Sequence, residues 1–146
     1  STGSTTTSPW CLQMSETPLP LRAKAALALR IWALYPRVLA GLRREQLPAF
    51  VARFGRTGRS HAAHSPARLS HAVDRSLRLG ARRPRCLVSS LVLYRLLREQ
   101  GDDAELVIGL PQTPADKDAH AWVELAGRDV GPPPGRGPHE ELARFK

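Results

Sequence analysis

A cysteine at the start of a helix is the residue in this sequence best suited to nucleophilic chemistry. The segment CLVSSLVLYRLLREQ predicts a helix that opens at Cys86, two residues after Pro84. The exposed N–H groups and the dipole of a helix start stabilise a thiolate, and the arginines of the preceding ARRPR segment add positive potential. The alternative interpretation of Cys86 is a small buried hydrophobic residue. A disulfide with the other cysteine, Cys11, is not expected without secretion signals.

A thiol nucleophile needs a base within hydrogen-bond reach, and His120 is the best placed of the five histidines. It opens the segment HAWVEL, whose alternation predicts a strand that a short hairpin can lay beside the cysteine helix. Trp122 lies on the same face of that strand, either as a wall of the active site or as a core aromatic residue. Ser89 and Ser90, which follow the cysteine, are interpreted as packing residues.

Helical patterns fill the first half of the chain, ahead of the cysteine helix. One covers residues 20–35 and is expected to end at Pro36, because proline removes a backbone donor and clashes with the preceding turn. Shorter patterns follow between residues 38 and 54. A further helix is expected to open with Ser65 as its N-cap. That helix presents one apolar face, formed by Leu69, Val73 and Leu77.

Strand patterns follow the cysteine helix, which is expected to stop at Gly101. AELVIGL (104–110) and HAWVEL (120–125) predict strands, and the Ala126-Gly127 pair predicts a two-residue turn into a short third strand, RDV. The order indicates an α+β fold. In it, N-terminal helices precede a central Cys-bearing helix that packs on a small antiparallel sheet.

The expected organisation is a flexible tail over residues 1–19 and a single domain over residues 20–146. The domain divides into a basic helical part, 20–80, and a Cys/His core, 85–146. Residues 21–85 contain 15 Lys and Arg against two acidic residues, within a net charge of +9 for the chain. This charge suggests nucleic-acid binding as an alternative function, but aromatic residues that stack on bases are few, at 5%.

Nothing in the sequence predicts a membrane or secreted protein. Arginine interrupts every apolar run before it reaches the roughly 18 residues of a membrane span. The first residues lack the basic and then apolar pattern of a signal peptide. We therefore expect a cytoplasmic protein without a membrane span.

Residues 85–131 resemble the transglutaminase-like cysteine peptidases of lasso-peptide biosynthesis, the leader peptidases. The resemblance rests on Cys86 opening a helix that ends at Gly101, on the strand Leu106-Val107-Ile108-Gly109, and on Ala119-His120-Ala121-Trp122-Val123-Glu124 before a turn that ends in glycine. It implies a transglutaminase- or papain-like core and a Cys-His-Asp triad. In that triad Cys86 attacks the scissile carbonyl as a thiolate, and His120 accepts and then donates the proton.

The resemblance also implies the partners. These are the precursor peptide with its leader, an asparagine-synthetase-like lasso cyclase, and a recognition protein that captures the leader. Because residues 21–85 carry no strand signal, the recognition module is expected to be a separate chain. No metal, organic cofactor or nucleic acid is implied. A transglutaminase-like acyltransferase with another substrate is a further alternative, because the same cysteine and histidine serve both reactions.

The third member of the triad does not transfer directly from the resemblance. A two-residue turn pairs Leu125 with Arg128, which places Asp129 opposite Glu124 and a proline opposite His120. Asp129 is the best candidate if the hairpin is longer or bulged, and its alternative interpretation is a charged residue on the solvent face. Asp118, two residues before His120, is a weaker substitute.

Overall fold

Four helices are followed by four strands in the computed structural model, which describes residues 18–56, 64–80, 86–111, 119–131 and 139–146. The helices are α1 (Leu21–Arg44), α2 (Leu47–Phe54), α3 (Pro66–Gly80) and α4 (Cys86–Glu99). The strands are β1 (Ala104–Pro111), β2 (His120–Leu125), β3 (Arg128–Gly131) and β4 (His139–Phe145), in one antiparallel sheet of order β3-β2-β1-β4. The predicted α+β class is confirmed. The predicted tail lies outside the described residues, except for residues 18 and 19.

Helix α1 continues through Pro36, so the expectation that this proline ends the first helix is wrong. A proline inside a helix leaves the carbonyl four residues earlier without its partner and costs about 3 kcal/mol. Here that carbonyl belongs to Trp32, on a turn whose outer side is exposed. Ile31, Leu34 and Val38, on both sides of the proline, are buried in the core. Since each such side chain contributes roughly 1.5–3 kcal/mol on burial, packing outweighs the local penalty.

Helix α1 is also long and apolar enough, by length and composition alone, to cross a membrane, with a mean hydropathy of 1.3 over 18 residues. The expectation that arginine excludes every such segment therefore does not hold for this helix. It is weak support for a span, because the core helix of a folded domain meets the same criteria. Leu27, Ile31 and Val38 indeed lie in the same apolar cluster as residues of the other helices.

Helix α3 has the start and the apolar face that the sequence predicts. The backbone N–H of Arg68 donates to Ser65 Oγ at 3.2 Å, which is an N-cap bond. Leu69, Val73 and Leu77 are all buried. Helix α4 lies between this face, α1 and the sheet, and its buried side chains belong to nearly every turn. A helix that is buried on most sides carries apolar residues around most of its circumference, as α4 does.

The hairpin of β2 and β3 follows the predicted turn. Ala126 and Gly127 have φ angles of 51° and 77°, the pattern of a type I′ turn. Leu125 pairs with Arg128 as expected, and a bulge then shifts the register of β3. Strand β4, the segment HEELARF, pairs with β1, although the sequence patterns predict no strand after β3.

Candidate active site

The thiol of Cys86 contacts the peptide group that precedes His120. Cys86 is the first residue of α4, a free cysteine whose side chain is partly buried. Its Sγ lies 3.9 Å from the carbonyl oxygen of Ala119, within reach of a weak S–H···O bond. The fold therefore brings the start of the cysteine helix to the start of the histidine strand, across 33 residues of sequence.

A second contact one turn along α4 holds the same two elements together. Ser90, fully buried, donates its hydroxyl to the carbonyl oxygen of Ala121 at 2.9 Å. Four residues of helix advance about 6.0 Å and two residues of strand about 6.6 Å, so the contacts at Cys86 and Ser90 match those at Ala119 and Ala121. His120 lies between the two anchored carbonyls. Ser90 is buried, as expected of a packing residue, and its hydroxyl adds a hydrogen bond to β2 that the sequence pattern does not predict.

His120 shares one face of β2 with Trp122 and Glu124, since side chains alternate along a strand. The indole N–H of Trp122 donates to Glu124 Oε1 at 2.9 Å. Gly109, the partner of His120 on β1, leaves room for the indole: a Cβ there would lie 2.7 Å from a ring carbon of Trp122. Trp122 is thus a largely buried ring held next to the histidine position.

A cluster of ionic groups extends this face beyond Trp122. Arg144, on β4, donates to Glu124 at 2.9 Å and to Glu141 at 2.9 Å, and it also binds Glu105 on β1. These hydrogen bonds, with Glu141 first, raise the pKa of Arg144 above its ordinary value, and the bond from Arg144 lowers the pKa of Glu141. The indole of Trp122 is therefore tied through Glu124 to three strands. Sequence reasoning missed Arg144 because β4 itself was missed.

Asp129 lies opposite Glu124, as the predicted register requires. That position is four residues, or about 13 Å, along β2 from His120. The Asp129 carboxylate accepts a hydrogen bond at 2.8 Å from the backbone N–H of Gly131, across the bulge of β3. The bulge follows Asp129 and so leaves its pairing with Glu124 unchanged. The weaker substitute, Asp118, lies outside the described residues.

The arrangement provides a thiol at a helix start and a histidine on the adjacent strand. Within the described residues, no group of three or more His, Cys, Asp or Glu side chains could hold a metal ion. The N–H groups of the first helical turn have no partner within α4, so they can donate to an anion beside the thiol. These are the elements of nucleophilic acyl chemistry through a thioester.

Comparison with known proteins agrees with this geometry. Residues 26–145 match the family model described as the transglutaminase-like superfamily. The match covers most of the chain and includes both the basic helices and the Cys/His core. No curated protein and no solved structure matches the sequence significantly.

Proposed function

The chain belongs to the transglutaminase-like superfamily, and we propose that it is a cysteine peptidase that removes the leader from a ribosomally made lasso-peptide precursor. Members of this superfamily are typically cysteine-dependent enzymes. The observation that carries the proposal is the contact between Cys86 Sγ and the carbonyl of Ala119, because it sets the thiol of a helix start beside the residue that precedes His120.

In the proposed reaction, His120 takes the proton of the Cys86 thiol and the thiolate attacks the carbonyl carbon at the end of the leader. The N–H groups of the first turn of α4 stabilise the resulting oxyanion. His120 then gives its proton to the departing amine, which frees the core peptide and leaves the leader as a thioester on Cys86. Water, deprotonated by His120, hydrolyses the thioester and restores the thiol.

The third member of the triad stays open in this proposal: Asp129 lies opposite Glu124, about 13 Å along the strand from His120 and too far for a direct hydrogen bond to its imidazole. The replacement Asp129→Asn is the sharpest test of this part of the proposal. A large loss of cleavage supports a role for Asp129, whereas near-normal cleavage assigns the third role to another group. The parallel replacement Asp118→Asn then tests the alternative. Trp122 is proposed as a wall of the substrate site, because its ring is held on the His120 face.

Two observations support the lasso subgroup. The segments around Cys86 and His120 resemble the leader peptidases, as described above. The described residues between 21 and 80 form helices and short connections with no strand among them, so these residues do not supply a leader-recognition module that contains strands. The proposed partners are the precursor, that recognition protein and an asparagine-synthetase-like cyclase, all in the cytoplasm.

The test incubates the chain with a lasso precursor and a separate recognition protein and follows the products by mass spectrometry. Cys86→Ala and His120→Ala should abolish cleavage while circular dichroism shows an unchanged fold. Cys11→Ala, a matched replacement of the other cysteine, should retain it. Undiminished cleavage by Cys86→Ala contradicts the proposal. A leader joined to an added amine, instead of a leader with a free carboxylate, indicates an acyltransferase.

A further inference from the structure

An apolar groove with a volume of about 740 Å³ lies between α1 and α3, and Cys86 is not among the residues that line it. It is lined by α1 over residues 21–32 and by α3 over residues 67–79. At 1.5 Å per residue both stretches are about 17 Å long, which corresponds to roughly three turns of a helix.

Three large apolar side chains of the groove are exposed. Leu21, Trp32 and Leu79 are 83%, 44% and 78% exposed, although apolar side chains of this size are normally buried. Single exposed apolar residues are common, but a contiguous apolar surface is typical of an interaction site. The surface is concave, which favours a convex apolar partner over a flat one.

The charged residues of the groove are all basic. Lys24, Arg68 and Arg75 line it, and no Asp or Glu does so among the described residues. Lys24 and Arg75 are exposed at the groove. A basic rim around an apolar floor attracts a partner that carries acidic side chains beside an apolar surface.

Part of the groove is already rigid. The indole N–H of Trp32 donates to the backbone carbonyl of Ser76 at 2.8 Å, which fixes the ring as a wall between the two helices. An aromatic residue held in its binding conformation loses little entropy when a partner arrives. Ser70, also in the lining, has a buried hydroxyl with no hydrogen-bond partner in the described part of the chain.

We propose that this groove binds an amphipathic helix of about three turns from a partner protein, with one apolar face and with carboxylates along both edges of that face. The apolar face covers Leu21, Trp32 and Leu79, and the carboxylates pair with Lys24 and Arg75. A nucleic acid would leave the apolar floor unused, and a membrane surface is too flat to fill the concavity. Cys86 does not line this groove, and the proposal does not depend on the proposed peptidase activity.

Fluorescence anisotropy tests the proposal with two labelled peptides of about 14 residues, a length at which an isolated helix begins to form. One peptide has Leu at helical spacings i, i+3, i+4 and i+7 with Glu at the flanking positions. The other is identical except that Lys replaces each Glu. The acidic peptide should bind at least about tenfold more tightly than the basic one, with an affinity that falls as salt rises.

Variants locate the binding. Trp32→Ala and Leu79→Ser should each weaken binding of the acidic peptide by about tenfold. Arg75→Glu should weaken it similarly and should strengthen binding of the basic peptide. Arg43→Glu is the matched control: it makes the same change of charge on an exposed arginine in the last turn of α1, outside the groove, and should change neither affinity.

Several results would overturn the proposal. Failure of the acidic peptide to bind does so directly. Equal effects of Arg75→Glu and Arg43→Glu would mean that net charge and not the groove binds the peptide, and an unchanged affinity in both Trp32→Ala and Leu79→Ser would exclude the groove. If vesicles of phosphatidylglycerol and phosphatidylcholine bind the chain through Trp32 while the acidic peptide does not, the surface binds a membrane.

Discussion

Replacing Ser90 by alanine should weaken the contact between α4 and β2 and lower the free energy of unfolding by a measurable amount. The Ser90 hydroxyl is fully buried and donates to the Ala121 carbonyl at 2.9 Å. A buried hydrogen bond of this kind contributes a net value of about 1 kcal/mol, and a buried carbonyl left without its donor costs about 1–3 kcal/mol. Both values describe the loss of the same hydrogen bond, so they are not added together. We expect a loss of about 2 kcal/mol in the free energy of unfolding, or roughly 4–8 °C in Tm for a chain of this size.

Urea unfolding measures the stability change, and the rate of Cys86 alkylation by iodoacetamide measures the effect on the site. Ser89→Ala is the matched control, because Ser89 is the neighbouring buried serine and the described residues show no bond from its hydroxyl to β2. It should cost less than about 0.5 kcal/mol. If Ser90→Ala costs no more than Ser89→Ala and leaves the alkylation rate unchanged, the Ser90 hydroxyl does not tie α4 to β2.

Three further predictions concern the sheet and the core. Gly109→Ala should destabilise the fold by about 2–3 kcal/mol in urea unfolding, because the new Cβ would lie 2.7 Å from the Trp122 ring and from the Glu140 backbone. A neutral result would show that the ring moves freely. Ala126→Asn should stabilise by about 0.5–1 kcal/mol, because asparagine accepts the left-handed φ of 51°, and a loss would contradict the turn. Burial raises the pKa of Tyr94, so the protonated phenol is favoured in the folded state and stability should fall as pH rises above 10. Tyr94→Phe should flatten this decline above pH 10, and an equal decline in the variant would assign it to other groups.

The sequence by itself determined the elements whose signals are local. Ser65 caps α3, and the Ala126-Gly127 pair makes the expected turn, because caps and turns depend on a few neighbouring residues. The α+β order followed from the same local patterns. The positions of Cys86 at a helix start and of His120 at a strand start also followed from local patterns.

Tertiary structure decided the features that depend on residues far apart in the chain. Pro36 stays inside α1 because burial on both sides outweighs a local penalty that sequence reasoning counted alone. Strand β4 forms because β1 offers a free edge, and its Arg144 meets carboxylates 20 and 39 residues away. The sequence around Arg144 does not indicate which carboxylates it binds, and the sequence around those carboxylates does not indicate Arg144.

The contact of α4 with β2 is the clearest case. The sequence contains Cys86 and Ser90 one helical turn apart and Ala119 and Ala121 two strand residues apart, but nothing in either segment states that they face each other. Packing brings them together because the rise of one helical turn nearly equals two steps of a strand. The same packing leaves Asp129 opposite Glu124, so the distance between a carboxylate and the histidine is set by strand register, which the residue types alone do not determine.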